Sequence, residues 1–539
     1  MRLLLSLTCL LLALPLLGVL GSWFLFDSAA LAVLTHQAQT VLPGYAGQSA
    51  LLALLVALGV AILGTATAVA VTLFDFPGRR SFEWALLLPM AIPAYVLAYA
   101  WTDALQFSGP LQSALRELLG VRGPLWPDVR NLWCAALLFV LCLYPYVYLL
   151  TRAALGDRAV HMMEAARLLG AGMRRRVLEV ALPMARPALA AGVALALMET
   201  LADYGVGAYF GLTTFSTGIY KAWLVMNDRV AAAQLASMLL LLVAGLLALE
   251  RAAQRRLRFA VGRGGADRST SSEARPLVLR GHRALAAWLL CALPVALGFV
   301  LPVLWLLRML WQEAMHGDVG LPWARFAQWA LASAKLSALA ALAATGLALA
   351  LGFALRDRGR RLDPLPPAVR VLSLGYAVPG TVVAVGVLLP MGWLQARWPE
   401  AALPSLVTGT LLGLLYAYLL RFSSVALQSV EAGYARLPAS IDETARLLGS
   451  GRSRLFLELH LPLLRRSALA AGLLVFVDVM KELPATLVLR PFGSDTLAVV
   501  AYNLARDERL GEAALPSLAI VVVGLIPVVL LSRALRAPQ

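Results

Sequence analysis

Apolar residues in this chain come in long runs rather than alternating with polar ones. Segments of about 20 residues fall near 3–25, 49–74, 83–104, 131–151, 185–205 and 232–250. Six more fall near 284–311, 328–355, 367–390, 404–428, 463–485 and 515–532. A helix of that length crosses a hydrocarbon core of about 30 Å. No water reaches the backbone there, so each run must satisfy its own hydrogen bonds, as an α-helix does. The dyad alternation of a membrane barrel does not appear. The pattern predicts an all-α polytopic membrane protein of about twelve transmembrane helices, arranged as two parallel six-helix repeats.

Polar residues mark the joints. An Arg-, Gly- and Ser-rich stretch at 251–283 separates the sixes, which gives a first half at 1–250, a basic linker at 251–283 and a second half at 284–539. Within the halves, cores are expected at about 49–250 and 328–532. Most of the 46 Lys and Arg residues fall in loops 76–82, 152–184, 251–283, 356–366 and 429–462 and in the C-terminal tail. That asymmetry places these loops and both termini in the cytoplasm. Six spans per half is an even number, so both halves enter from the same side. The N-terminal run is longer than a signal-peptide core and has no small-residue cleavage site after it. It is read as the first span.

Composition agrees. The chain has 539 residues, 60% hydrophobic and 14% charged, against about 25% charged in soluble domains. The net charge of +16 is the topology signal just described, and no nucleic-acid partner is implied. Cys9, Cys134, Cys142 and Cys291 lie in or beside apolar runs without metal-ligand spacing. They read as small buried hydrophobes. His36, His161, His282, His316 and His460 are scattered and are expected in loops, so no metal site is assigned. Pro93 and Pro379, inside spans, are expected to bend them.

The strongest signal is a repeat. Residues 164–183 read EAARLLGAGMRRRVLEVALP, and residues 443–462 read ETARLLGSGRSRLFLELHLP. Both ends are displaced by 279 residues, from Glu164 to Glu443 and from Pro183 to Pro462, with ARLLG identical. Ala and Glu favour helix, glycine permits a sharp corner, and proline suits the first turn of a new helix. Each loop is therefore a helical elbow, and its duplication suits a two-fold partner.

These loops resemble the EAA signature (EAA-x3-G-x9-hydrophobic-x-LP) of binding-protein-dependent ABC importer permeases with two fused halves, the type I transmembrane fold. The resemblance implies that each elbow is a coupling helix seated in a cytoplasmic ATPase subunit. Glu164, Ala165, Ala166, Gly170 and Pro183 would be the carried-over positions in the first loop. In the second they would be Glu443, Ala445, Gly449 and Pro462, with Thr444 replacing the first alanine. It further implies two ATPase copies, a periplasmic substrate-binding protein and a place in the bacterial inner membrane. ATP and magnesium would be bound by the partner ATPase and no cofactor by this chain. A phosphate-binding loop needs a lysine after glycine, and none of Lys221, Lys335 and Lys481 follows one. No enzymatic activity is expected.

Segments 91–101, 198–223, 377–386 and 476–518 are similar to those of the fused ferric-iron permeases, which implies iron(III) as the substrate. Permeases for thiamine, polyamine or phosphonate are the alternatives. A secondary transporter is a remote one, because it has no use for two elbows.

Charged groups inside spans are costly and mark pathways or helix ends. Glu199 and Asp203, and Asp478 and Glu482, each lie four apart on one helical face. The 279 offset pairs Glu199 with Asp478 and Asp203 with Glu482. The segment ALAAG recurs at 280 instead, and one extra residue would rotate a set by about 100°. Two readings stand: acids that meet a hard cation or the binding protein, or acids that fix helix ends.

Overall fold

The computed structural model describes residues 2–25, 28–155, 160–262, 277–317, 320–356 and 363–536, so part of the predicted linker, 263–276, lies outside the described residues. Nearly everything described is helix. The exception is a two-residue parallel pairing of Phe74–Asp75 with Leu277–Val278. Among the described residues nine helices are long and apolar enough to span a membrane, or eleven when each of two bent pairs counts as one. The segment predicted at 463–485 is the helix Leu461–Lys481. Arg465, Arg466, Asp478 and Lys481 make it less apolar than the others.

Both bends fall at the expected prolines. The first separates Arg79–Ala91 from Ala94–Leu119 by 89°, and the second separates Leu365–Ala377 from Gly380–Arg397 by 120°. Pro93 and Pro379 cap the outgoing helices in extended conformation. Proline there withholds an N–H that would continue the helix and forces its predecessor out of the helical region.

Packing divides the chain into two compact units. One comprises Met1–Gln39, Gly218–Leu240 and Pro322–Val500; the other comprises Thr40–Thr217, Leu241–Leu321 and Ala501–Gln539. Each combines the core of one repeat with the leading helix of the other. In the first unit, Arg2–Gly21 lies against Gly380–Arg397. A Cβ on Gly386 would come within 2.5 Å of the Pro15 carbonyl oxygen. In the second, His282–His316 packs on Leu510–Arg536, and Leu42–Leu73, Leu132–Ala154 and Leu182–Ala202 form a tight trio. A Cβ on Gly192 would stand 2.7 Å from the Val147 Cα. Without a hydrophobic drive between helices in lipid, such small-residue contacts hold a bundle together.

The two repeats follow the same plan. Leu132–Ala154 is capped by Asn131, whose side chain accepts from the Cys134 amide. Leu411–Tyr434 is capped by Thr410, whose hydroxyl accepts from the Leu412 amide.

Candidate functional site

Each predicted elbow is a nine-residue helix, Val160–Leu168 and Ala439–Leu447, with the same termination. The Gly170 amide donates to the Arg167 carbonyl at 3.0 Å and the Ala171 amide to the Ala166 carbonyl at 2.9 Å. In the second copy, Gly449 donates to Arg446 at 3.0 Å and Ser450 to Ala445 at 3.0 Å. This is the Schellman closure, which needs a left-handed residue. Gly170 and Gly449 both have φ +80°.

Beyond the corner, Gly172 and Gly451 start new helices. Wider π-helical turns follow at Arg176–Ala181 and Leu455–His460, then the helices Leu182–Ala202 and Leu461–Lys481. Pro183 and Pro462 sit in the first turn of these. Inside an α-helix a proline would lose a hydrogen bond and clash one turn back; the wider turn before it relieves both conflicts.

Glu164, Ala165, Gly170, Glu443, Gly449 and Pro462 are exposed, while Ala166, Pro183 and Ala445 are half-buried. The elbow tips carry a feature that the pattern of helix formers and glycines does not reveal. Leu168 and Leu169 are 89% and 88% exposed, and Leu447 and Leu448 are 88% and 81% exposed. Paired leucines in an otherwise polar helix were the available signal.

The seats beneath the elbows differ. In the second, Arg356 Nε donates to Asp442 Oδ2 at 2.6 Å, and Arg356 Nη2 donates to the Pro438 carbonyl at 2.9 Å. His460 Nε2 lies 2.9 Å from Asp442 Oδ1, and Tyr434 Oη lies 3.3 Å from His460 Nδ1. A carboxylate only accepts, so Nε2 carries a proton. Burial opposes the Asp442 charge, but hydrogen bonds and charge from Arg356 and His460 outweigh it and hold its carboxyl below the usual range. His460, expected in a loop, is a buried part of this network, 1% exposed. At the same offset, the first elbow has Met163 for Asp442, Ala181 for His460 and Leu155 for Tyr434. All three are buried.

At the opposite ends of the elbow-bearing helices stand the membrane acids. Leu182–Ala202 and Leu461–Lys481 are both 21 residues long and end at equivalent positions. The 279 register therefore continues through them, and the ALAAG match at 280 is not a structural insertion. Asp203 and Glu482 are the C-caps, and each turns its carboxylate onto the next short helix. Asp203 Oδ1 accepts from the Val206 amide at 2.8 Å. Glu482 accepts from the Ala485 and Thr486 amides, both at 2.9 Å. Arg421 Nη1 also donates to Glu482 Oε1 at 2.9 Å, where the first repeat has Cys142. These bonds fix helix ends for Asp203 and Glu482. Glu199 and Asp478 are half-buried, one turn earlier.

Cys9, Cys142 and Cys291 are buried, as expected, whereas Cys134, in the first turn of its helix, is half-buried. Among the described residues no group of three or more His, Cys, Asp or Glu could hold a metal ion. Also in the second unit, Arg130 pairs with both carboxylate oxygens of Glu508 at 2.8 and 2.9 Å, which holds the Glu508 carboxyl below its ordinary range.

Residues 60–259 match the family model described as "Binding-protein-dependent transport system inner membrane component". Over 495 residues the chain is 25% identical to the Fe(3+)-transport system permease protein FbpB 2 of Haemophilus influenzae, covering 90% of this chain and 88% of that protein. Over 201 residues, 37% of this chain and 70% of the relative, it is 27% identical to a putative 2-aminoethylphosphonate transport system permease protein, PhnU, of Salmonella choleraesuis. Over 136 residues, 25% of this chain and 57% of the relative, it is 27% identical to the molybdenum transport system permease protein ModB of Escherichia coli.

Proposed function

We propose, from the premise that this chain is an ABC-type permease of binding-protein-dependent transport, that it carries ferric iron inward across the inner membrane under the drive of a separate ATPase. The duplicated elbow carries the coupling part of this reading. Two Schellman-closed helices, each exposing a leucine pair beside an outward Glu164 or Glu443, suit two copies of one ATPase. The iron part rests on a similarity to an Fe(3+) permease that runs along 90% of the chain, whereas the similarities to the phosphonate and molybdenum permeases span 37% and 25%.

The mechanism follows from rigidity. A loaded binding protein docks on the side away from the elbows, and two ATPase subunits close on ATP. Each elbow continues through its π turn into a helix that ends at a capped acid, Asp203 or Glu482. Closure of the ATPases on the elbows is therefore transmitted along a stiff element to the far end. The pathway opens outward, and hydrolysis resets it inward. On this reading the basic loops and both termini are cytoplasmic, and the chain contributes pathway and coupling without bond chemistry. Residues 1–250 and 284–539 are the two permease halves and 251–283 the linker. Glu199, Asp203, Asp478 and Glu482 are the candidate acids for the pathway or for the face that meets the binding protein.

The test is uptake of radiolabelled Fe(III) in cells without their own iron importers, with the ATPase and binding protein supplied or omitted. Uptake that requires all three components supports the reading. A complex whose ATPase responds to loaded binding protein while iron stays outside overturns the substrate and leaves the class.

A further inference from the structure

In the second packing unit, the helices Leu42–Leu73, Leu132–Ala154 and Leu182–Ala202 leave an apolar groove of about 560 Å³ beside the first elbow. Ile62, Thr65, Thr151, Val177, Ala185 and Arg186 are among its lining residues. The volume falls within the roughly 300–1,000 Å³ of ligand pockets. From Ala61 to Val69 it follows the first helix for eight residues, roughly 12 Å. We infer that this groove holds an acyl chain of an anionic phospholipid from the elbow-side leaflet, with the headgroup phosphate against Arg186.

Four observations point to that occupant. Leu54, Leu58 and Ile62, one turn apart on the lining helix, are 56%, 54% and 70% exposed, so this face meets hydrocarbon. Arg186 is exposed at the elbow end of its helix, where a phosphate would lie. Basic pockets between spans on the cytoplasmic side recognise anionic headgroups.

Third, the hydroxyls of Thr65 and Thr151 are buried without a hydrogen-bond partner. Helical threonines ordinarily return that bond to a carbonyl one turn back, as Thr67 does to Leu63 at 2.8 Å. The helix Leu42–Leu73 is 32 residues long, roughly 48 Å against a core of about 30 Å. Thr65 therefore lies close to the depth of lipid ester oxygens, and one step of χ1 rotation would turn its hydroxyl from its buried position into the groove to donate to one.

Fourth, the second repeat builds the same backbone differently. At the 279 offset it has Phe456 for Val177, Leu464 for Ala185 and Val430 for Thr151. Phe456 packs on Phe353 with ring centroids 5.1 Å apart, and Leu464 and Val430 are buried. Arg465 stands at the position of Arg186, so the arginine is common to both repeats while bulkier side chains, Phe456 and Leu464, stand beside it in the second.

The experiment is native mass spectrometry of the full chain, extracted in mild detergent, stripped of lipid and titrated with phosphatidylglycerol or with phosphatidylcholine of the same acyl chains. One phosphatidylglycerol per chain is expected, held about fivefold more tightly than phosphatidylcholine. Arg186→Gln should remove that preference, and Arg465→Gln should keep it. Val177→Phe with Ala185→Leu, residues that the second repeat already accommodates, should abolish the bound lipid. Thr65→Val alone, expected to weaken it, keeps the test open should the double variant insert poorly. Undiminished lipid in the filled groove, or equal retention of the two lipids by the unaltered chain, overturns the inference.

Discussion

The two elbows have one backbone and two chemistries. Helix length, the pattern of closing hydrogen bonds and the +80° glycine are the same in both. Beneath that shared surface, the first elbow rests on Met163, Ala181 and Leu155, and the second on Asp442, His460, Tyr434 and Arg356. The far ends repeat the contrast, with Cys142 in the first repeat where Arg421 grips Glu482 in the second. What faces outward stays alike, whereas the support beneath is free to diverge so long as it holds the same shape. An apolar seat is non-directional and tolerates adjustment. A charged seat holds only while every member is present, since removing one partner strands another.

The largest expected effect uses that asymmetry. Asp442→Met places the first elbow's residue in the second seat and leaves Arg356 without its acid. The loss should be roughly 2–3 kcal/mol, toward the low side for unpairing a buried charge because Arg356 keeps some exposure. Adding Arg356→Leu and His460→Ala removes the partners that Asp442 leaves behind and should restore most of the loss. Thermal unfolding of the three forms checks this. A triple variant no better than the single one would show that the charged seat does more than hold shape.

Next in size is the feature both elbows share. A non-glycine residue at φ +80° costs about 1–2 kcal/mol, and a Cβ at Gly170 or Gly449 would meet nothing within 4 Å, so strain acts alone. Replacing both by valine should abolish uptake with membrane insertion intact, while asparagine, which tolerates this region, should retain much of it. Retained uptake in the double valine variant sinks the coupling role of the elbows.

A smaller difference should appear with acid. Asp442 is held below its ordinary pKa by Arg356 and His460, so its stabilisation is complete above the unfolded value of about 3.9. It is lost as pH falls through the lower folded value. The first elbow has Met163 there and no such dependence. Amide exchange at Leu448–Ser450 relative to Leu169–Ala171 should therefore rise below about pH 4, intrinsic exchange cancelling in the ratio. A constant ratio would show that the Asp442 seat does not govern the second elbow.

The reach of the sequence follows the range of the interactions. Spans, the bends at Pro93 and Pro379, and the corners at Gly170 and Gly449 obey local rules of hydropathy and backbone sterics, so they could be read directly. The second seat gathers Arg356, Asp442 and His460 from three elements, and a linear reading left His460 as an isolated loop residue. The membrane acids were ambiguous because the elbows match at an offset of 279 while the small apolar segment ALAAG before the acids matches at 280. Only helix lengths and caps choose the register. The leucine pairs were in plain view within ARLLG, but their exposure emerges once the rest of each elbow turns its apolar side inward.

The smallest effect concerns the exposed flank, where symmetry has no energetic content. Arg175 pairs with Glu179 and Arg454 with Glu458, both at 2.7 Å and both four residues apart on open helix faces. Exposed pairs of this kind gain little, because water screens them and ordering two long side chains opposes the attraction. Glu179→Gln and Glu458→Gln should therefore leave thermal stability within error of the unaltered chain, alone or together. Their equal geometry in both repeats would then reflect the shared backbone register and nothing more. Should uptake fall in either variant while stability holds, that flank belongs to the surface the ATPase touches, and the docking face extends from the leucine tips to the π turns.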